Sequence, residues 1–456
     1  MPLVPTRRES TGAAVNGMPM VPATRAVLAG TARSQSKPTD IIYDQILAQI
    51  EPALAVRLTR PELTDRVERL VGEVASERRL LLNQQEQQSF AASMVDDMIG
   101  LGPLENLLRD DTVSDILVNG PRQIYVERRG RLELTELQFR NDLHVLYVAQ
   151  RIASSVGRRV DESSPMLDAR LADGSRVNVV IPPLCLRGPS ISIRKFTRTF
   201  LDFARMIGLK SMSPPLARAL EIIAYSRLNI LISGGTGSGK TTLLNAMSGL
   251  IDPGERVVTI EDTAELQLQQ PHVVPLETRP PNVEGKGEVA QRDLVRNALR
   301  MRPDRIIVGE VRGPEAFDMM QAMNTGHNGS MSTIHANSAR DALARVENMV
   351  MMASVNLPSR AIRGQIVSAL DVIVQVERMR DGTRRVTEVS EVVGMEEDVI
   401  TLSNLFTFQY EGENRDGTLK GTFSGSGVQP RFLKRLEYFG LSSEFMKTIA
   451  AAGEGK

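Results

Sequence analysis

A single cysteine, Cys185, in 456 residues leaves no partner for an intramolecular disulfide and rules out a multi-cysteine zinc site. A reducing cytoplasm is the compartment this implies. Tryptophan is absent and aromatic residues make up 4% of the chain, little material for the stacking platforms of a single-strand nucleic-acid channel. Neither sign of charge is in surplus, with 55 Lys plus Arg against 55 Asp plus Glu. The whole molecule is therefore not drawn to nucleic acid, although a local basic patch stays open. No apolar run approaches the roughly 18 residues needed to cross a bilayer, and the N-terminus has no secretory apolar core. The expectation is a chain without a transmembrane segment, soluble or held at a membrane by partners, and long enough for two or three domains.

What is present centres on Leu228–Leu250, LNILISGGTGSGKTTLLNAMSGL. An apolar run meets a glycine-dense turn, and Leu243, Leu244, Met247 and Leu250 then follow helical spacing, so the stretch reads as strand, loop, helix. The loop Gly234-Gly235-Thr236-Gly237-Ser238-Gly239-Lys240-Thr241-Thr242 contains G-x-x-x-x-G-K-T. Gly234, Gly235, Gly237 and Gly239 are expected to let the backbone take left-handed angles and bring successive N–H groups onto phosphate oxygens. The positive end of the next helix adds to that field. Lys240 would reach the β- and γ-phosphates of a nucleotide, and the Thr241 hydroxyl would hold Mg²⁺.

Residues 1–38, rich in Pro, Ser, Thr, Ala and Arg, read as a disordered tail, either a solvated leader or a docking segment. Residues 39–110 follow helical periodicity throughout, with apolar faces at Ile41/Ile42/Ile46/Ile50, Leu63/Val67/Leu70/Val71/Val74 and Phe90/Met94/Met98/Ile99, and suggest an N-terminal helical bundle. The period then becomes alternating. Strands, turns at Asn119-Gly120 and Asp173-Gly174, and one helix over Asp142–Ser155 describe a smaller α+β domain at 111–198. Arg170, Arg176 and Arg194 lie in its strands or flank its turns, positions usual for a solvated face. Residues 199–214, ending at Ser213-Pro214, read as a linker, and 215–456 as the α/β nucleotide-binding domain.

Past the loop, strands alternating with helices imply a parallel sheet with its site at the strands' carboxyl ends. Two apolar runs end in acids there: RVVTIED in Glu261 and Asp262, with Glu265 just beyond, and DRIIVGE in Glu310, followed by Arg312. Such acids can cap helices, orient Mg²⁺ or accept a proton from attacking water. His335 follows a third short strand, where it is structural or donates a ring N–H to the γ-phosphate. A metal site on it is not expected, since no third ligand is near in sequence. After Pro358 come a helix, a hairpin turning at Asp381-Gly382, another turning at Gly417, and a short helix near Arg431–Phe439.

With GGTGSGKTT, TIEDTAEL (Thr259–Leu266), IIVGEVRG (Ile306–Gly313) and TGHNGSMSTIHAN (Thr325–Asn337) in hand, the sequence resembles the type II/type IV secretion ATPase superfamily over about residues 98–395. The phrases GPLENLLRDDTVSDILVNG, DARLADGSRVNVVIPP and TEVSEVVGMEED are further similar to the CpaF-type ATPases of tight adherence (Tad) pili. The resemblance implies a RecA-like P-loop domain behind the smaller α+β domain, and a homo-hexamer with ATP and Mg²⁺ between the domains, near subunit boundaries. It implies that Glu310 polarises water or holds Mg²⁺ through water, that Glu261 assists, that His335 reads the γ-phosphate, and that Arg176 and Arg194, with or without Arg170, are cationic fingers. Such a motor would drive assembly, with or without retraction, of type IV or Tad pili, or related secretion. It would sit in the cytoplasm, peripheral to the inner membrane through a platform protein, without nucleic acid as partner. The lone cysteine departs from the tetracysteine element of many type II members and points to the type IV and Tad side. Two rivals remain at this level: a RecA-like nucleic-acid translocase, and a nucleotide-dependent scaffold that does not hydrolyse.

Overall fold

A computed structural model describes residues 58–128, 130–196, 201–281, 285–353, 356–415 and 417–453, with a few positions between 43 and 50. The expected tail at 1–38, with Ile41 and Ile42, lies outside them. The chain forms two compact units, 1–102 and 103–456.

In the first unit, helices Arg60–Glu77 and Gln84–Ile99 pack through the apolar faces read from the sequence. Leu63, Val67, Val71 and Val74 are buried with Ala91, Met94 and Val95, and Ile46 and Ile50 join the same cluster. The second helix starts where Asn83 and Glu86 exchange hydrogen bonds, Glu86 N to Asn83 Oδ1 at 2.9 Å and Asn83 N to Glu86 Oε2 at 2.8 Å. This reciprocal cap satisfies donors that a helix start leaves open. Arg60 and the buried Asp96 form an ion pair between the two helices.

The second unit begins with a helix that the periodicity had grouped with the bundle. Leu104–Arg109 instead packs by the strands, with Leu104 and Leu107 buried, and Lys195 Nζ donates to the carbonyls of Leu107 and Asp110 at 3.4 and 2.7 Å. Helical spacing gives an element's inward face but not its packing partner. The strands β1 (Val113–Asn119), β2 (Ile124–Arg128), β3 (Arg131–Leu134), β4 (Met166–Arg170), β5 (Arg176–Val180) and β6 (Ser190–Arg194) form one antiparallel sheet, ordered β3-β2-β1-β6-β5-β4. Alternation puts Ile116, Val118, Ile124, Val126, Val177, Val179, Ile191 and Ile193 on the buried face. Helix Asp142–Ser155 has the expected bounds. The segment read as a linker holds a helix, Phe203–Gly208, whose Phe203 and Met206 join the main core of the next sheet.

That sheet has nine strands: β7 (Ile230–Gly234), β8 (Val257–Glu261), β9 (Val273–Glu277), β10 (Arg305–Val311), β11 (Met331–His335), β12 (Val372–Arg378), β13 (Arg384–Glu396), β14 (Val399–Glu413) and β15 (Leu419–Gly425), ordered β15-β14-β13-β12-β7-β11-β10-β8-β9. The run from β12 to β9 is parallel, and β13 to β15 extend it antiparallel. This is the α/β, RecA-like P-loop architecture the resemblance implied, with the smaller α+β domain ahead of it. Parallel strands covered on both faces read as unbroken apolar runs. Accordingly Ile230 and Ile232 enter one hydrophobic cluster, with helices Pro214–Tyr225 and Lys240–Ser248, while Leu231 enters the other, with helices Glu315–Asn324, Ala339–Met352 and Ser359–Ala369. The central strand β7 therefore delivers its carboxyl end, Gly234, to a rigid place. None of the described helices is long and apolar enough to cross a membrane.

Candidate nucleotide site

Only two of the four loop glycines use left-handed angles. Gly237 and Gly239 have φ of +69° and +99°, which a side chain would strain. Gly234 serves another purpose: a Cβ there would lie 2.2 Å from the Val376 carbonyl of the neighbouring strand β12 and 2.6 Å from Ser238 Oγ. Gly235 has neither a positive φ nor atoms within 4 Å of a would-be Cβ. The expectation of left-handed geometry at all four is thus corrected, because strand proximity rather than backbone angle excludes a side chain at Gly234.

The loop opens the helix Lys240–Ser248 at the rim of a cleft of about 590 Å³. Thr236, Gly237, Gly239, Lys240, Thr241 and Thr242 line it, together with Arg176 and Arg194 from the smaller domain and with Glu310 and His335 from the ends of β10 and β11. Lys240 is largely buried, and its Nζ donates to the Gly235 carbonyl at 2.9 Å while standing 3.5 and 3.4 Å from His335 Nδ1 and Nε2. His335 Nε2 is 3.0 Å from Glu310 Oε1. Burial, then Lys240, lowers the His335 pKa, so near neutrality the ring is uncharged. In that form Nε2–H donates to Glu310 and Nδ1 accepts from Lys240, a tautomer assigned by the network. Burial also lowers the pKa of Lys240, against the pull of Glu310. Ser238 Oγ is buried without a hydrogen-bond partner among the described residues.

The two acidic tips differ. Glu310 projects into the cleft next to an irregular register between β10 and β11, and Thr333 Oγ1 fixes the preceding carbonyl, Gly309 O, at 2.6 Å. Glu261 lies beneath Gly309, buried, where a Cβ on Gly309 would come within 2.7 Å of Glu261 Cγ. Burial raises its pKa to about 7, although its Oε2 accepts Glu265 N at 2.8 Å and Leu266 N at 3.0 Å. Glu261 therefore fastens the loop after β8, and that loop brings Thr263, Glu265 and Gln267 to the cleft wall. Gln267 N also donates to Asn245 Oδ1 at 2.9 Å, tying the loop to the helix Lys240–Ser248.

Arg170, Arg176 and Arg194 fall in one cross-strand row: Arg170 pairs with Arg176, Arg176 with Arg194, and Arg194 with Asp115. Adjacent like charges on one sheet face repel, and each is offset by an acid. Arg176 holds Asp168 through two bonds of 2.6 and 3.1 Å, and Arg194 holds Asp115 at 3.2 Å. Arg170, itself not among the residues that line the cleft, reaches Glu277 at 3.4 Å and stacks over Phe196, which does line it.

Two arginines without an assigned role in the sequence reading also line the cleft. Arg312 bonds Glu310 at 2.6 Å and lies 3.5 Å from Asp262. Its signal was present, since two residues beyond Glu310 in an extended segment returns to the same side. Arg384 donates through Nε to Gly237 O at 2.9 Å, and nothing in the sequence links it to the loop. Behind the loop, Leu201, Met206, Leu209, Met212, Leu243 and Val386 shape a second, more apolar cavity of about 430 Å³.

A family model described as "Type II/IV secretion system protein" matches residues 97–402. The conjugal transfer protein TrbB of Rhizobium radiobacter is 36% identical over 291 residues, covering 63% of this chain and 86% of TrbB. The type IV secretion system protein PtlH of Bordetella pertussis is 38% identical over 311 residues, covering 62% of this chain and 91% of PtlH. Among solved structures, the VirB11 ATPase of the Brucella suis type IV secretion system is 29% identical, covers 63% of this chain and 95% of its own, and has a TM-score of 0.35.

Proposed function

The chain belongs to the type II/IV secretion system protein family, and from that premise we propose that it is an ATP-hydrolysing motor. The observation that carries this reading is the convergence of Lys240, Glu310, His335, Arg176 and Arg194 on one cleft beside the glycine loop. Phosphoryl transfer asks the protein mainly for positioning and charge neutralisation, and this set supplies both. Loop N–H groups and Lys240 hold the β- and γ-phosphates, and the base enters the apolar cavity behind the loop. His335 meets the γ-phosphate with its Nε2–H, exchanging the Glu310 carboxylate for a phosphate oxygen. Glu310 orients the attacking water, and Glu261, from below, steadies the loop that carries Glu265.

Mg²⁺ fits the donor set, because the Thr241 hydroxyl and the Glu310 carboxylate line the same cleft and a hard cation that keeps waters and phosphate oxygens needs few protein ligands. When bound it would neutralise phosphate charge. Arg176 and Arg194 exchange Asp168 and Asp115 for phosphate oxygens as the smaller domain closes, and return to the acids after hydrolysis. That exchange turns chemistry into domain motion.

In this reading the motor is a homo-hexamer in the cytoplasm, bound to an inner-membrane platform protein, and its branch is the CpaF-type one of tight adherence pili, on the phrases around Gly102–Gly120, Asp168–Pro183 and Thr387–Asp398. A second reading, a type IV secretion or conjugal transfer motor, is favoured by the names of TrbB and PtlH. Lys240→Ala in the purified full chain is expected to abolish ATP turnover, and retention of full turnover would refute the motor. Affinity capture of the inner-membrane partner separates the readings, a pilus platform supporting the first and a secretion-channel component the second.

A further inference from the structure

The two cavities beside the glycine loop share four lining residues, Leu201, Gly239, Thr242 and Arg384. A nucleotide with its base in the apolar cavity and its terminal phosphates on Lys240 has its ribose and first phosphate at that seam. Among the described residues Arg384 is the one cation that lines both cavities, and its circumstances differ from those of the other arginines of the cleft. Arg176, Arg194 and Arg312 each hold a carboxylate. Arg384, among the described residues, makes one hydrogen bond, from Nε to Gly237 O, and no ion pair. The outer guanidinium nitrogens thus keep their donors for a ligand.

Its support is built from behind. Arg384 opens β13, directly across from Arg378 at the end of β12. The turn between them is closed by Asp381, whose Oδ1 accepts Thr383 N at 3.0 Å and Thr383 Oγ1 at 2.6 Å and whose Oδ2 accepts Leu419 N at 2.9 Å. The next residue, Arg385, is buried, donates to Leu419 O at 2.9 Å and stacks over Phe408 at 4.7 Å from the ring centre. The hairpin is thereby held to β14 and β15. Asp381 turns its carboxylate to Leu419 and Arg385, not to Arg384. Arg378, the opposite member, donates to Gly130 O of the smaller domain at 3.3 Å. Gly239 completes the arrangement, since a Cβ there would stand 3.3 Å from Arg384 Cδ.

Resting on the nucleotide reading above, we infer that Arg384 is a nucleotide-binding residue, contributed by the β12–β13 hairpin, that hydrogen-bonds the first phosphate of a nucleoside di- or triphosphate. That phosphate is not transferred, so the contact is made alike with substrate and product. Loss of a charge-assisted bond of this kind corresponds to roughly ten- to hundredfold in affinity.

The test is displacement of a fluorescent ADP analogue from the full chain, with Mg²⁺ present, by ADP, by a non-hydrolysable ATP analogue and by adenosine. Arg384→Ala is expected to weaken ADP and the ATP analogue by the same factor, roughly tenfold or more, to leave adenosine unchanged, and to be partly restored by Arg384→Lys. Unaltered ADP affinity in Arg384→Ala overturns the inference, and so does an equal loss for adenosine, which would mean a collapsed cavity. Wild-type protein that takes up no ADP overturns the nucleotide reading as a whole. Wild-type uptake matched by Arg384→Ala overturns this inference alone.

Discussion

Replacing Glu261 by glutamine should make the protein progressively more stable as pH rises from about 4.5, with the full gain reached above neutral pH. Glu261 is 5% exposed, and burial lifts its pKa from the ordinary 4.5 to about 7. A carboxyl with a raised pKa binds a proton more tightly folded than unfolded. Its contribution is neutral below about pH 4.5, turns unfavourable as pH rises from there to about 7, and is then constant. At about 1.4 kcal/mol per pH unit, the penalty for burying the ionised form reaches about 3 kcal/mol. Glutamine keeps the one acceptor that matters, since the N–H groups of Glu265 and Leu266 both bond a single oxygen, Oε2. Glu261→Gln should therefore match wild type near pH 4 and gain up to about 3 kcal/mol by pH 8.5, seen as a rise of several degrees in Tm. Because the chain has no tryptophan, nucleotide-free thermal unfolding is best followed by far-UV circular dichroism across that range. A stability difference that stays flat with pH, or a glutamine variant less stable than wild type at pH 8.5, would refute a buried carboxylate held against its desolvation.

Gly309→Ala puts a Cβ 2.7 Å from Glu261 Cγ, so it should cost about 1–3 kcal/mol by overpacking, and calorimetry should show most of that cost vanish in a Glu261→Ala background. Arg176→Ala with Arg194→Ala should lower ATP turnover about a thousandfold or more, as for loss of cationic fingers, while nucleotide binding persists; Arg170→Ala, outside the cleft, should retain most turnover in the same assay. Arg305, with no exposed surface, holds Glu255 through bonds of 2.7 and 2.9 Å. Arg305→Met should cost about 3–5 kcal/mol by leaving that buried acid with only Arg227, 3.4 Å away, and Arg305→Met with Glu255→Leu should recover most of it in denaturant unfolding.

The nucleotide loop was legible from sequence because its parts are contiguous: an apolar strand, glycines and a helix start all lie between Leu228 and Leu250. The same holds for the hairpin turn at Asp381-Gly382 and for the helix Asp142–Ser155, where period and turn chemistry are local. The long strand β14 was seen only toward its end, in the hairpin turning at Gly417, because Val399–Thr407 mixes polar and apolar residues without strict alternation.

The sequence by itself determined which chemistry this chain can support, since phosphate cradling, acidic strand ends and helical or alternating periods are properties of neighbours along the backbone. Tertiary structure alone decided how the distant groups divide the work. Sheet register, not spacing, aligned Arg170, Arg176 and Arg194 in one row and left only the last two on the cleft. Close approach of β8 to β10 put Glu261 under Gly309 and gave the wall to Glu265. Packing of the last three strands carried Arg384, 147 positions after Gly237, onto that residue's carbonyl. Such contacts depend on distances in space, and a one-residue change in register would dissolve them without altering a single motif.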